Sequence, residues 1–224
     1  RQALSAVELD TSIAGKGRPY QRLAIESVCQ QFDVKKQRKA LLVMATGTGK
    51  TLAFVLPAIQ YLLDFPRRDP GFARVLVMTP TRELAYQVYD TFKQFSQFTT
   101  LNVGLITGGI NYGSHKDTLE KNNDILVATP GRLIEYLDAE SFQADEVELL
   151  ILDEADRMLD MGFIVDIKRI MAKLPTKRQT LLFSATYSNE IKQLADELLN
   201  SPQLIEVAAT NATAERVEQQ AYLV

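Results

Sequence analysis

Short, unbroken apolar runs recur along the chain. They cover Ala40–Met44, Arg74–Thr79, Val103–Thr107, Asp124–Ala128, Leu149–Leu152, Thr180–Phe183 and Leu204–Val207. A strand with one wet face alternates polar and apolar residues. A strand covered on both faces does not, and these runs are of the second kind. Between them, apolar residues return at helical spacing. Arg82–Phe95 sets Leu84, Val88, Thr91, Phe92 and Phe95 on one side, and Asn189–Leu199 does the same with Ile191, Leu194, Ala195 and Leu198, with Ser188 placed to cap it. Strands alternating with helices predict an α/β fold, a mostly parallel sheet with helices on both faces. Phe92, Phe95 and Phe98 share the helical spacing and are expected in the core, not on a base-stacking platform. Asp64–Phe72, with two prolines and a glycine, and Arg1–Gly17 are the expected flexible links; no internal repeat is present.

Composition narrows the class. The chain has 224 residues, 46% hydrophobic and 24% charged, which suits one globular domain with a true core. A net charge of −3 argues against a generally polybasic nucleic-acid binder, though not against a local basic groove. Lys-Lys-Gln-Arg-Lys at 35–39 is expected to solvate a loop. Cys29, the single cysteine, has no intrachain partner and is expected to pack in a helix, in keeping with a reducing cytoplasm. No apolar run reaches membrane-spanning length, so no membrane partner is expected. His115 is the only histidine and has no cysteine or carboxylate cluster around it, so a surface position is expected rather than a metal ligand. Arg1 is not a natural start, and a piece of a longer chain is expected.

Two segments carry chemistry. Residues 41–51 read Leu-Leu-Val-Met-Ala-Thr-Gly-Thr-Gly-Lys-Thr, the pattern of a strand, a glycine loop and a helix that begins near Lys50. In such a loop Thr46, Gly47, Thr48 and Gly49 bring backbone amides close to phosphate, and the helix N-terminus favours its charge. Lys50 is placed to reach the terminal phosphates, and the Thr51 hydroxyl to bind Mg²⁺. The strict pattern wants glycine where Met44 stands. Downstream, Leu149–Leu152 runs into Asp153, Glu154, Ala155 and Asp156. Asp153 is placed to hold Mg²⁺ and Glu154 to orient an attacking water. ATP and Mg²⁺ are the expected cofactors, with Lys50, Asp153 and Glu154 the catalytic candidates.

Further segments follow in order: Pro-Thr-Arg-Glu-Leu-Ala at 80–85, Gly108–Gly109, Thr-Pro-Gly-Arg at 129–132, Asp-Glu-Ala-Asp at 153–156, Arg-Met-Leu-Asp-Met-Gly-Phe at 157–163 and Ser-Ala-Thr at 184–186. From about Thr51 onward this set resembles the DEAD-box ATP-dependent RNA helicases, first RecA-like domain. The middle is similar to the SrmB type and the tail to the RhlE type. The resemblance implies a RecA-like P-loop NTPase fold over 18–224 after an extension at 1–17. It implies that Pro80, Thr81, Arg82, Gly108, Gly109, Thr129, Gly131 and Arg132 line an RNA path, gripping backbone without reading sequence. It also implies that Asp156, Ser184 and Thr186 couple the nucleotide to RNA, with Ser184 and Thr186 bonding to the acidic motif. A second RecA-like domain would complete the machine, and nothing after Val207 supplies it. A monomer is expected.

The first fifty residues fit this family less well. Gly-Arg-Pro-Tyr-Gln at 17–21 lacks the Pro-Thr pair of its adenine-reading segment, and together with 41–51 it resembles the motor subunit of type I restriction enzymes. A chimera joined near Lys50–Phe54 is one account, a divergent natural helicase another. Gln21 is the candidate adenine reader, with Arg18 or Tyr20 packing on the ring. Three readings therefore stand: an RNA helicase core domain, a double-stranded DNA translocase, and a nucleotide-binding module without turnover.

Overall fold

Every apolar run named above that lies in the described part of the chain is a strand of one parallel sheet. The computed structural model describes residues 39–43, 48–110, 112–199 and 202–206. The strands are β1 (Lys39–Val43), β2 (Val75–Met78), β3 (Val103–Ile106), β4 (Ile125–Ala128), β5 (Leu149–Leu152), β6 (Gln179–Ser184) and β7 (Gln203–Glu206), in spatial order β3-β4-β2-β5-β6-β1-β7. Each neighbouring pair runs parallel. Boundaries differ from the sequence expectation by a residue or two, which is the ordinary fraying of a ladder's ends.

The helices are α1 (Thr48–Asp64), α2 (Arg82–Ser96), α3 (Lys116–Glu120), α4 (Pro130–Asp138), α5 (Ala155–Asp160), α6 (Ile164–Lys173) and α7 (Asn189–Leu199). They divide between the two faces of the sheet. On one face Val75, Val77, Ile125, Val127, Leu149, Ile151, Leu181 and Phe183 pack against α1 and α2 through Ala53, Phe54, Ala85, Val88 and Phe92. On the other, Leu76, Met78, Leu126, Leu150, Leu152 and Leu182 pack against α4 to α7 through Leu133, Met158, Ile167, Ile170, Ile191 and Leu194. Alternate residues of the same strand thus enter opposite cores, so the strands read as continuous apolar runs.

Two expectations for aromatic residues part here. Phe92 is fully buried, but Phe98 is 92% exposed. Helix α2 stops at Ser96, so the spacing that aligned the three rings no longer applies at position 98. The Asp64–Phe72 stretch is a loop, but Arg67 ties it down: its guanidinium donates to the Phe72 carbonyl and pairs with Asp124 at 3.0 Å and Glu146 at 3.1 Å. Ser188 caps α7 as expected, its hydroxyl accepting the Ile191 N–H at 3.3 Å. Cys29 and the 35–38 part of the basic run lie outside the described residues.

A polar staple fastens the end of the sheet away from the motif-bearing loops. Arg74, just before β2, donates to Glu148, just before β5, and to the Phe65 carbonyl, each at 2.7 Å. Tyr61 of α1 donates to the same Glu148 carboxylate at 2.7 Å. Burial would raise the Glu148 carboxyl, but the Arg74 and Tyr61 hydrogen bonds outweigh it and hold the group below the usual carboxylate range. Burial, then the Glu148 carboxylate, push the Tyr61 phenol up to about 12.

Candidate functional site

In an all-parallel sheet every strand's C-terminal end lies at the same edge, and ligands bind in the crevice beyond that edge. The motifs all sit there. Reading across the sheet, β3, β4 and β2 lead into Gly108–Gly109, Thr129–Arg132 and Pro80–Arg82. Next to them, β5, β6 and β1 lead into Asp153–Asp156, Ser184–Thr186 and the glycine loop before α1. The edge is therefore split into two halves that meet between β2 and β5, where the Asp153 N–H donates to the Met78 carbonyl at 3.0 Å.

On the half formed by β5, β6 and β1, Lys50 lies in the first turn of α1, which begins at Thr48, two residues earlier than expected. Lys50 is 4% exposed and Asp153 fully buried. The Lys50 ammonium stands 2.9 Å from Asp153 Oδ1 and 3.6 Å from Glu154 Oε1. Asp153 Oδ1 also accepts the Glu154 N–H at 2.9 Å. Burial pushes the Asp153 carboxyl above the usual carboxylate range, opposed by the Lys50 ammonium. Asp153 Oδ2 is buried with no hydrogen-bond partner among the described residues. A buried carboxylate oxygen without a donor needs a cation or water to satisfy it. Glu154 holds a left-handed backbone (φ 55°, ψ 53°) as it caps α5, a conformation that costs a non-glycine residue roughly 1 kcal/mol or more and gathers at functional sites. Arg157 lies 3.6 Å from the other Glu154 oxygen.

Asp156 links the two motifs of this half. Its Oδ2 accepts the Ala185 N–H at 3.1 Å and the Thr186 hydroxyl at 3.3 Å. Ser184 departs from the expectation. It is fully buried, and its hydroxyl accepts the Thr186 N–H at 3.3 Å instead of reaching the acidic motif. The chain bends just after this strand end, and the serine closes that bend locally. Thr51 is half-buried on α1, while Thr48 and Gly49 belong to the same helix; Gln21, Thr46 and Gly47 lie outside the described residues.

On the other half, Thr81 caps α2 by accepting the Leu84 N–H at 3.3 Å, leaving Arg82 half-exposed at the helix start. The Gly108 N–H donates to the Thr129 hydroxyl at 3.2 Å, and Arg132 donates to the Ile110 carbonyl at 3.2 Å. Pro130 opens α4, where a missing N–H costs nothing. Pro80 is buried and Gly131 half-buried at this surface. Gly109 has φ 75°, and a Cβ there would run into the Arg82 guanidinium. Gly109→Ala is expected to cost about 1–2 kcal/mol through the left-handed backbone alone, and to drive Arg82 off the loop. A urea midpoint that drops at unchanged slope checks the first part, and a changed Arg82 side-chain resonance checks the second.

The histidine is a correction. His115 is 2% exposed, not at the surface. It closes a 3-10 turn (Tyr112–His115), and its ring hydrogen-bonds to Thr107, just after β3, and to Tyr136 of α4. Sequence reasoning missed this because the contacting groups, Thr107 and Tyr136, lie eight and 21 residues away, beyond any helical or strand spacing.

The DEAD/DEAH box helicase family profile matches residues 18–194. The chain belongs to that family. This DEAD/DEAH box protein is 50% identical over 178 residues to the ATP-dependent RNA helicase SrmB of Haemophilus influenzae, covering 79% of this chain and 40% of that one. It is 51% identical over 172 residues to the ATP-dependent RNA helicase SrmB of Escherichia coli, covering 76% and 38%. It is 39% identical over 225 residues to the ATP-dependent RNA helicase RhlB of Pseudomonas syringae pv. tomato, covering 98% and 56%. The chain thus spans about 40% of the length of its SrmB relatives. The DEAD/DEAH match begins at residue 18, ahead of the glycine loop, and takes in the segment that resembled a restriction motor. The double-stranded DNA translocase reading is not favoured. Among the described residues no helix is long and apolar enough to cross a membrane.

Proposed function

We propose that residues 18–224 form the ATP-binding core domain of a DEAD-box RNA helicase, preceded by an extension at 1–17 and working with a second RecA-like domain. The observation that carries this is the split C-terminal edge. A buried Lys50–Asp153 pair marks one half, the Arg82, Gly109 and Arg132 surface marks the other, and they meet at the β2–β5 junction. Nucleotide and RNA would then bind to adjacent parts of one rigid sheet.

On the nucleotide side Lys50 would neutralise the terminal phosphates, and the amides of 46–49 would cradle them. The unsatisfied Asp153 Oδ2 suits a hard divalent cation, and Thr51 and Asp153 would hold Mg²⁺. No three His, Cys, Asp or Glu groups converge among the described residues, which fits an ion that keeps water and phosphate ligands rather than a closed protein cage. The bound ion would neutralise charge that develops on the phosphate oxygens. Glu154, between the Lys50 and Arg157 cations, would orient and polarise the attacking water. Gln21 would read the adenine edge.

On the RNA side Thr81, Arg82, Gly108, Gly109, Thr129, Gly131 and Arg132 offer hydroxyls, guanidiniums and backbone amides, with Pro80 fixing the turn that presents them. Such groups suit phosphate and sugar and read no bases. The Asp156–Thr186 contact gives the coupling its physical link: a shift of Glu154 and Asp156 toward nucleotide would be felt at once by the loop after β6.

The test is ATP turnover, by this chain alone and after joining a second RecA-like domain. Alone the chain is expected to bind Mg-ADP weakly, turn over slowly and unwind nothing, because arginines supplied by a second domain account for about 10³–10⁵ in rate in such enzymes. The joined protein is expected to hydrolyse ATP faster with single-stranded RNA, to lose that turnover in Glu154→Gln, and to lose its ATP-over-GTP preference in Gln21→Ala. Stimulation by duplex DNA and not by RNA would instead identify a DNA translocase. Turnover indifferent to Glu154→Gln would leave a binding module.

A further inference from the structure

His115 is the one buried imidazole, and the nucleotide chemistry makes no use of it. Its Nε2 accepts the Thr107 N–H at 3.3 Å, and its Nδ1 lies 2.8 Å from the Tyr136 hydroxyl oxygen. A backbone N–H can only donate, so Nε2 carries the lone pair. In the neutral ring the proton is then on Nδ1, donating to Tyr136. Both partners are placed with purpose. Thr107 immediately precedes Gly108–Gly109, and Tyr136 is one helical turn after Arg132 on α4. The Tyr136 ring stands edge-on to the imidazole at 5.6 Å, and the Arg132 guanidinium lies 6.0 Å from the centre of the same ring. His115 therefore ties the end of β3 to α4 beneath the two surface ties already described, Gly108 to Thr129 and Arg132 to Ile110.

We infer that neutral His115 is a positioning residue for the RNA face: it locks the Gly108–Gly109 loop to the helix carrying Arg132, and a proton on Nε2 releases that lock and weakens the grip on single-stranded RNA. The inference rests on the proposed reading of this surface as RNA-binding. Protonation sets an Nε2–H against the Thr107 N–H, two donors with no acceptor between them, in a buried place where an unmade hydrogen bond is costly. It also adds a second cation beside Arg132. Among the described residues, helix α4 sets the Tyr136 phenol and the Arg132 guanidinium near the ring, with Glu135 paired to Arg132 at 3.3 Å, and the residue after β3 is Thr107, which does not titrate. Lys116, next in the chain, is directed to Glu120 at 3.7 Å in solvent. Burial first, then the Arg132 guanidinium, hold the imidazole below its ordinary value. A depressed imidazole stabilises the fold fully above the unfolded value, and that contribution is lost as pH falls through the folded one.

Because His115 is the only histidine, its ring signals are unambiguous by nuclear magnetic resonance. Long-range nitrogen–proton spectra of the chain at neutral pH are expected to show the Nδ1–H tautomer and a titration midpoint below that of the urea-unfolded chain. Affinity for labelled oligouridine, measured between about pH 7.5 and about pH 5.5, is expected to fall about two- to fivefold more in the wild type than in His115→Gln, whose amide donates and accepts without titrating. An Nε2–H tautomer, or parallel pH curves for the two proteins, would overturn the inference. Should His115→Gln not fold, Tyr136→Phe keeps the packing and removes the acceptor. It is expected to weaken oligouridine binding several-fold at neutral pH, and unchanged binding would again overturn the lock. No oligouridine binding by the wild type at neutral pH would overturn the RNA reading of the face itself, an outcome distinct from binding that ignores the histidine.

Discussion

Lys50→Ala is expected to weaken Mg-nucleotide binding further, by about a hundredfold, because losing one partner of a buried charge-assisted contact costs about 2–5 kcal/mol. It is also expected to change how stability depends on pH. Lys50 is the counter-charge of a fully buried carboxylate, 2.9 Å away. Burial already pushes Asp153 upward against the pull of that ammonium, so deleting the lysine sends it further up. A carboxyl whose folded value is raised stabilises the fold below its unfolded value and loses that contribution as pH rises through the folded one. The variant should therefore lose stability relative to wild type from the ordinary carboxylate range upward. The loss is bounded by the about 3–5 kcal/mol seen when one partner of a buried pair is removed. Adding Asp153→Asn should erase the pH slope without restoring nucleotide binding. Urea midpoints across pH, beside a nucleotide titration, read both effects. A variant that binds Mg-nucleotide like wild type would show that Lys50 touches no phosphate.

Phe54→Ala is expected to cost about 3–5 kcal/mol, the usual range for emptying a large aromatic site in a core. Phe54 is fully buried on α1, one turn after Lys50. Its ring packs on Phe183 of β6 at 5.1 Å and on Phe92 of α2 at 6.3 Å, so one side chain joins three elements. Against a total stability of roughly 5–15 kcal/mol such a loss is near the limit of folding. Helix α1 carries Lys50, so loosening Phe54 should also weaken nucleotide binding before the chain unfolds. The check is a urea midpoint that falls at unchanged slope. Phe54→Leu, which keeps most of the volume, should lose only about 1 kcal/mol. A loss for Phe54→Ala no greater than for Phe54→Leu would show that the cluster collapses around the gap.

Much of the site was legible in order along the chain. Lys50 follows two glycines after an apolar run, and Asp153–Glu154 follows another. Those residue types suit phosphate and metal where a strand delivers them to one edge, and a parallel sheet brings Lys50, Asp153 and Glu154 to the same edge. The helix at Asn189–Leu199 and the cap at Ser188 were legible for a similar reason, since both depend on near neighbours. Phe98 and Ser184 were misjudged for the converse reason. Whether a spacing or a hydroxyl is used depends on where a helix stops or a loop turns, and that is settled by packing.

The sequence by itself determined the strand and helix order, the two buried faces and the motif residues, because hydrophobic period and glycine placement act locally. Only the tertiary structure decided that Asp156 meets Thr186, that Arg82 lies over Gly109, and that His115 is a buried link between Thr107 and Tyr136. Those contacts join residues on different elements, from eight to 30 positions apart. Their geometry depends on how strand ends are ordered across the sheet, which no local pattern encodes.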